Sequence, residues 1–136
     1  MTMSKSTIVL LTLVTVGAMF SLVSGAFYLE VPLPGGLPIG NALVAIGLCS
    51  AAGAAIGLSQ PGTLLRRVST ASFVAALAWL PVSVALAGNL ALNFSGPQGI
   101  LWIGLSLSTV VAVLGSLVWA LIRCLLEGAV REGSPP

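Results

Sequence analysis

The sequence predicts an all-α integral membrane protein: a four-transmembrane-helix antiparallel bundle of two hairpins, with both termini in the cytoplasm. Three observations predict it. Hydrophobic residues make up 57% of the 136 positions and charged residues 6%, against roughly 25% charged in an average soluble domain. Four apolar stretches each reach the length of about 20 helical residues that crosses a bilayer core. Finally, every Lys and Arg falls in a segment that this arrangement assigns to one side of the membrane.

The first span is read over about residues 7–29, after Lys5. Ser24-Gly25-Ala26 near its end resembles a signal-peptide cleavage site. The apolar run exceeds the roughly 7–15 residues of a signal h-region, however, so the segment is taken as a true first helix. Pro32, Pro34 and Pro38, with Gly35 and Gly36, then interrupt any helix. The second span covers about residues 37–58. Ser59-Gln60-Pro61-Gly62 forms a turn, followed by the pair Arg66-Arg67 and a third span over about residues 68–92. A reversal at Asn93–Gly99, rich in turn formers and containing Pro97, leads into the fourth span, about residues 99–122. Arg123, Glu127 and Arg131 repeat at i,i+4 spacing, so this helix is expected to continue about two turns before Gly133-Ser134-Pro135-Pro136 stops it. The short connections make sequential helices antiparallel neighbours within one membrane domain.

The charges are Lys5, Arg66, Arg67, Arg123, Arg131, Glu30, Glu127 and Glu132. The cations flank the first helix's start, the second connection and the fourth helix's end, while the other two loops carry none. This places the Lys/Arg-bearing side in the cytoplasm. A net charge of +2 does not suggest a nucleic-acid partner. Four Arg to one Lys, with abundant Ala and Gly, points to a GC-rich bacterial genome and hence to an inner (plasma) membrane. The sequon-like Asn93-Phe94-Ser95 is accordingly discounted.

Several chemistries are excluded within the chain. Without histidine there is no His-ligated haem or zinc and no Ser-His-Asp arrangement. There is no Asp, and no Glu lies inside a span. A free-standing ion pump or proton relay needs a carboxylate at membrane depth and is not expected. No acid/base or nucleophile pair suggests an enzyme, and no cofactor or metal is expected. Cys49 and Cys124 fall at different depths and are read as unpaired thiols.

Helix-packing features remain. The fourth helix carries Gly104, Ser108, Ala112, Ser116 and Ala120 at four-residue spacing, and the second carries Gly53 and Gly57. Small residues let helices approach closely where lipid supplies no hydrophobic drive. These rows are read as packing the bundle or meeting another subunit. Pro81 is expected to bend the third helix. Glu30, Asn41, Asn89 and Asn93 form an expected outer-leaflet polar cluster, with Asn89 and Asn93 on one helix face. It is read as an interhelical hydrogen-bond clamp or a headgroup pocket. Trp102 and Phe94 are expected at the outer interface, Trp119 at the inner one, and Trp79 in packing or a partner contact.

These readings converge on a non-catalytic accessory subunit of a larger bacterial inner-membrane complex, such as a respiratory assembly or a multi-subunit transporter. Its partners would be larger integral membrane subunits and membrane lipids. The alternative is a small homo-oligomeric transporter or pore for a lipid or neutral solute.

Overall fold

Glycine, proline and hydroxyl side chains decide where the helices of this chain begin and end. The computed structural model describes residues 3–132, with side-chain surroundings described through Gly128. Four α-helices follow in order: α1 (Lys5–Val23), α2 (Ile39–Leu58), α3 (Leu64–Ala87) and α4 (Pro97–Glu132). All four are long and apolar enough to cross a membrane. A single 3-10 turn spans Phe27–Glu30, and the described residues contain no β-strand beyond an isolated bridge between Pro32 and Pro38.

The helix ends differ from the sequence expectation, each for a local reason. The first helix stops at Val23, six residues early, because Gly25 takes a left-handed φ of 61°. The Ser24 hydroxyl covers the Ser21 carbonyl at 2.6 Å, and residues 27–30 form the separate 3-10 turn. Helix α2 starts after Pro38, whose ring pre-sets the entry. Helix α3 begins four residues earlier than expected. Thr63 is its N-cap, and its hydroxyl accepts the Arg66 N–H at 3.2 Å. Arg66 and Arg67 therefore belong to the first turn of a helix and not to a connecting loop. The same helix ends at Ala87, five residues early, where Gly88 at φ 70° donates its N–H to the Val84 carbonyl at 2.8 Å. Helix α4 opens with Pro97 at its first position, where the missing N–H is no loss. It runs unbroken through Glu132, which includes the expected extension; residues 133–136 lie outside the described residues.

Helix α2 is the centre of the packing. It contacts α1, α3 and α4, whereas α1 makes no comparable contact with α3 or α4. Small residues dominate the interior, with Leu48 and Leu65 the larger aliphatic members of its clusters. Ala51, Ala52, Ala54, Ala55, Ala76, Val113 and Ala120 are all buried, and Trp79 is the one aromatic side chain among the buried residues described. The large apolar groups point outward: Phe20 is 78% exposed and Val23 85%. This is the reverse of a soluble core, in which Leu, Ile and Phe fill the centre.

Glycine in α2 sets its distance from α1. A Cβ on Gly57 would lie 2.7 Å from Ile8 Cγ1, one on Gly53 3.2 Å from Leu11 Cδ1, and one on Gly47 3.3 Å from the Ala18 Cβ. Contacts thus ascend along α1 as they descend along α2. Replacing Gly57 with Val should destabilise the chain by about 1–3 kcal/mol through overpacking. Adding Ile8→Ala should recover most of that loss. Gly104→Val, at a site with open space, should stay within about 0.5 kcal/mol of the parent. Thermal unfolding in detergent compares the three variants.

Candidate functional site

With so few ionisable groups, the candidate functional surfaces are helix faces and the hydrogen bonds between them. Gly53 and Gly57, singled out in the sequence, face α1 and so pack within the chain. Midway along the same contact, the Thr15 hydroxyl lies 3.0 Å from Ser50 Oγ and 2.8 Å from its other acceptor, the Leu11 carbonyl. Ser50 in turn donates to the Ile46 carbonyl at 2.8 Å. Both side chains are buried.

The α3–α4 contact is joined by a reciprocal exchange between tryptophan and serine. Trp79 of α3 donates its indole N–H to Ser106 of α4 at 2.9 Å. Trp102 of α4 donates to Ser83 of α3 at 3.0 Å. Ser83, fully buried, donates its hydroxyl to the Trp79 carbonyl at 2.6 Å, which completes a hydrogen-bond chain from Trp102 through Ser83 to the α3 backbone. Such chains polarise one another and hold their members in one geometry. Phe94 stacks on Trp102 with ring centroids 4.7 Å apart. Further along, Ser72 donates to the Ala112 carbonyl at 3.1 Å. Pro81 stands between Trp79 and Ser83, exposed, in a helix that continues through it. The sequence pointed to Trp79 as a packing or partner-contact residue. Its serine partners lie 27 and 4 positions away and carried no local signal.

The α2–α3 joint gives Arg66 a role beyond its charge. Its guanidinium Nη1 donates to the Ile56 carbonyl and to the Ser59 carbonyl at 3.4 Å. These are carbonyls at the C-terminal end of α2, where cations are favoured. A cation in the first turn of α3 opposes that helix's own dipole; the bond to α2 offsets the conflict. Arg67 is exposed.

One site expectation needs correction. The polar residues Asn89 and Asn93 do not form an interhelical clamp. Asn89 and Asn93 lie beyond the end of α3 and close a local turn, with Asn89 Nδ2 donating to the Ala87 carbonyl at 2.9 Å and Asn89 Oδ1 accepting the Asn93 N–H at 3.2 Å. They share a turn and not a helix face, because Gly88 has already ended the helix. No hydrogen bond joins the Glu30 or Asn41 side chain to them among the described residues. The interhelical clamp is the Trp–Ser exchange, deeper in the helices. The small-residue row of α4 divides. Ser116 and Ala120 are buried, while Gly104, Ser108 and Ala112 are exposed. The buried stripe follows Thr109, Val113, Ser116 and Ala120 instead. A four-residue row drifts about 40° per step, so it leaves the packed face within two turns.

An outward small-residue face results. Gly104, Ser108, Ala112 and Gly115 fall within an arc of about 80° on α4, and a Cβ on either glycine would touch nothing within 4 Å. The exposed Val111 and Leu107 flank it. The cations cluster as well. Ile8 contacts Gly57, Arg66 bonds the end of α2, and Gln60 bonds Glu127 on α4. Lys5, Arg66, Arg67 and Arg123 therefore gather at one end of the helices, together with Glu127, and Glu30 lies at the other. No family model matches this chain, and neither a curated protein nor a solved structure is similar to it.

Replacing Trp79 with Phe keeps one aromatic ring but removes the donor to Ser106 and part of the buried indole. The share of the cost due to the lost bond is expected to be about 0.6–1.7 kcal/mol, as for hydrogen bonds between membrane helices. Ser106→Ala should add little in the Trp79→Phe background, which a double-mutant cycle on unfolding free energies measures.

Proposed function

We propose that the chain is a multi-pass membrane protein of a bacterial inner membrane and a non-catalytic accessory subunit of a larger complex, acting through helix packing. Two antiparallel hairpins, α1–α2 and α3–α4, make up the bundle, and both termini face the cytoplasm. The observation that carries this reading is the outward face of α4 with Gly104, Ser108, Ala112 and Gly115. A helix surface in lipid gains nothing from glycine unless another backbone approaches it, and these glycines meet no backbone of their own chain. Larger integral membrane subunits of a respiratory assembly or multi-subunit transporter are the partners that fit.

Two further features support the reading. The basic residues share one end, as the positive-inside rule requires of a cytoplasmic end. Helix α4, at 36 residues, is roughly 54 Å long by its rise per residue, against a hydrocarbon core of about 30 Å. Its projecting part still exposes Leu125 and Leu126, a surface suited to a neighbouring subunit.

The second reading, a homo-oligomeric carrier for a lipid, draws on an apolar crevice of about 160 Å³ where α1 and α4 straddle α2, lined by Ala18, Met19, Leu48, Val110 and Leu114. Purification in mild detergent with mass spectrometry of co-purifying chains separates the two. The accessory reading expects larger membrane subunits in the preparation. The variant Gly104→Leu, Ser108→Leu, Gly115→Leu should lose them by about tenfold or more, equivalent to at least 1.4 kcal/mol, while its own melting temperature is retained. A chain that purifies only with copies of itself and moves lipid between leaflets in liposomes would replace this reading with the second.

A further inference from the structure

At the basic end of the molecule, the turn between α2 and α3 stands off from α4 and leaves a cavity of about 200 Å³, open on one side. Leu58, Leu65 and Trp119 form its apolar wall, and Gln60, Arg123 and Glu127 its polar one. Arg123 and Glu127 are one helical turn apart, so their Cβ atoms lie about 5–6 Å from each other. No ion pair joins them among the described residues. Gln60 Nε2 donates to Glu127 Oε2 at 3.1 Å. Glu127 Oε1 and the Gln60 side-chain Oε1 have no hydrogen-bond partner among the described residues and are the acceptors this wall offers.

We propose that this cavity binds the phosphoethanolamine head of a phospholipid, with Arg123 on the phosphate and Glu127 and Gln60 on the primary ammonium. The inference rests on the membrane location proposed above. The chemistry selects among headgroups. A guanidinium meets a phosphodiester through paired, charge-assisted N–H bonds. A carboxylate and an amide oxygen together suit a donor with several N–H groups. A quaternary choline ammonium has no N–H to give them. A glycerol headgroup brings the phosphate charge without a cation and leaves it beside an uncompensated Glu127. The apolar wall suits the glycerol–acyl boundary, and Trp119 belongs to the aromatic type that favours that depth.

The test uses the full chain in nanodiscs or detergent with phosphatidylethanolamine, phosphatidylcholine or phosphatidylglycerol, reading retained lipid by native mass spectrometry. Phosphatidylethanolamine should be retained about tenfold more strongly than the other two, a difference of one well-made charged contact. Arg123→Gln, which removes the phosphate contact common to all three lipids, should weaken retention of each by about tenfold, and Glu127→Gln should abolish the phosphatidylethanolamine preference and shift it toward phosphatidylglycerol. Arg67→Gln, outside the cavity, should keep both retention and preference. Soluble glycerophosphoethanolamine competing as well as the lipid would assign the site to the free headgroup and overturn the lipid assignment. Equal retention of the three lipids, a preference unchanged by Glu127→Gln, or retention unchanged by Arg123→Gln would overturn the site itself. A chain that stays in vesicles through alkaline extraction yet shows no preference loses only this inference. A chain that is extracted loses the membrane reading with it.

Discussion

The structure depends on one constraint: helices whose outer surfaces are apolar must hold together by close approach and hydrogen bonding. In the proposed membrane setting there is no water to expel between them, and an unpaired polar group costs several kcal/mol. The chain meets both demands. Its interior is built mainly from alanine, glycine and serine, so backbones come close. No buried side-chain polar atom among the described residues lacks a hydrogen-bond partner. Apart from Arg66 at the α2–α3 joint, the side chains that bond one helix to another are neutral hydroxyls and indoles, whose desolvation is far less costly than that of a charge.

Helix α2 carries most of this burden. Its glycines admit α1 on one side, and Ala51, Ala52 and Ala55 receive the others. The α3–α4 contact is held differently, by bulky indoles whose N–H groups need acceptors and find them in serines across the interface. The first seam relies on proximity and the second on directional bonds. The α2–α3 joint adds a third device, an arginine that leaves the unfavourable start of one helix for the favourable end of another. None of these devices uses the outward glycines of α4, which is why that face stands apart.

The number and approximate position of the helices were legible because a long apolar run has few alternatives. Their ends were less so. Hydropathy alone ran the first helix through Gly25 and the third through Gly88, since neighbouring residues are apolar; a single positive φ stops each. Arg66-Arg67 read as a loop because charge suggests solvent, yet Thr63 is a capping residue and Arg66 has carbonyls within reach. For the site, the glycines of α2 were read as packing or partner contacts, and they face α1. The α4 row was not resolved into inward and outward parts, because small residues mark both a tight contact and an unused one. Asn89 and Asn93 were joined by i,i+4 spacing that only applies inside a helix. The Trp–Ser exchange links positions far apart in the chain, where periodicity has nothing to say.

The central claim is a chain that spans the membrane with its basic end in the cytoplasm, and its own cysteines provide the direct measurement. Cys124 is exposed near that end, on α4, and Cys49 is half-buried within α2. With Cys49 replaced by Ala, a membrane-impermeant maleimide should label Cys124 in inverted membrane vesicles and leave it unlabelled in intact spheroplasts. Labelling in intact spheroplasts, at a rate matching that in inverted vesicles, would contradict the account.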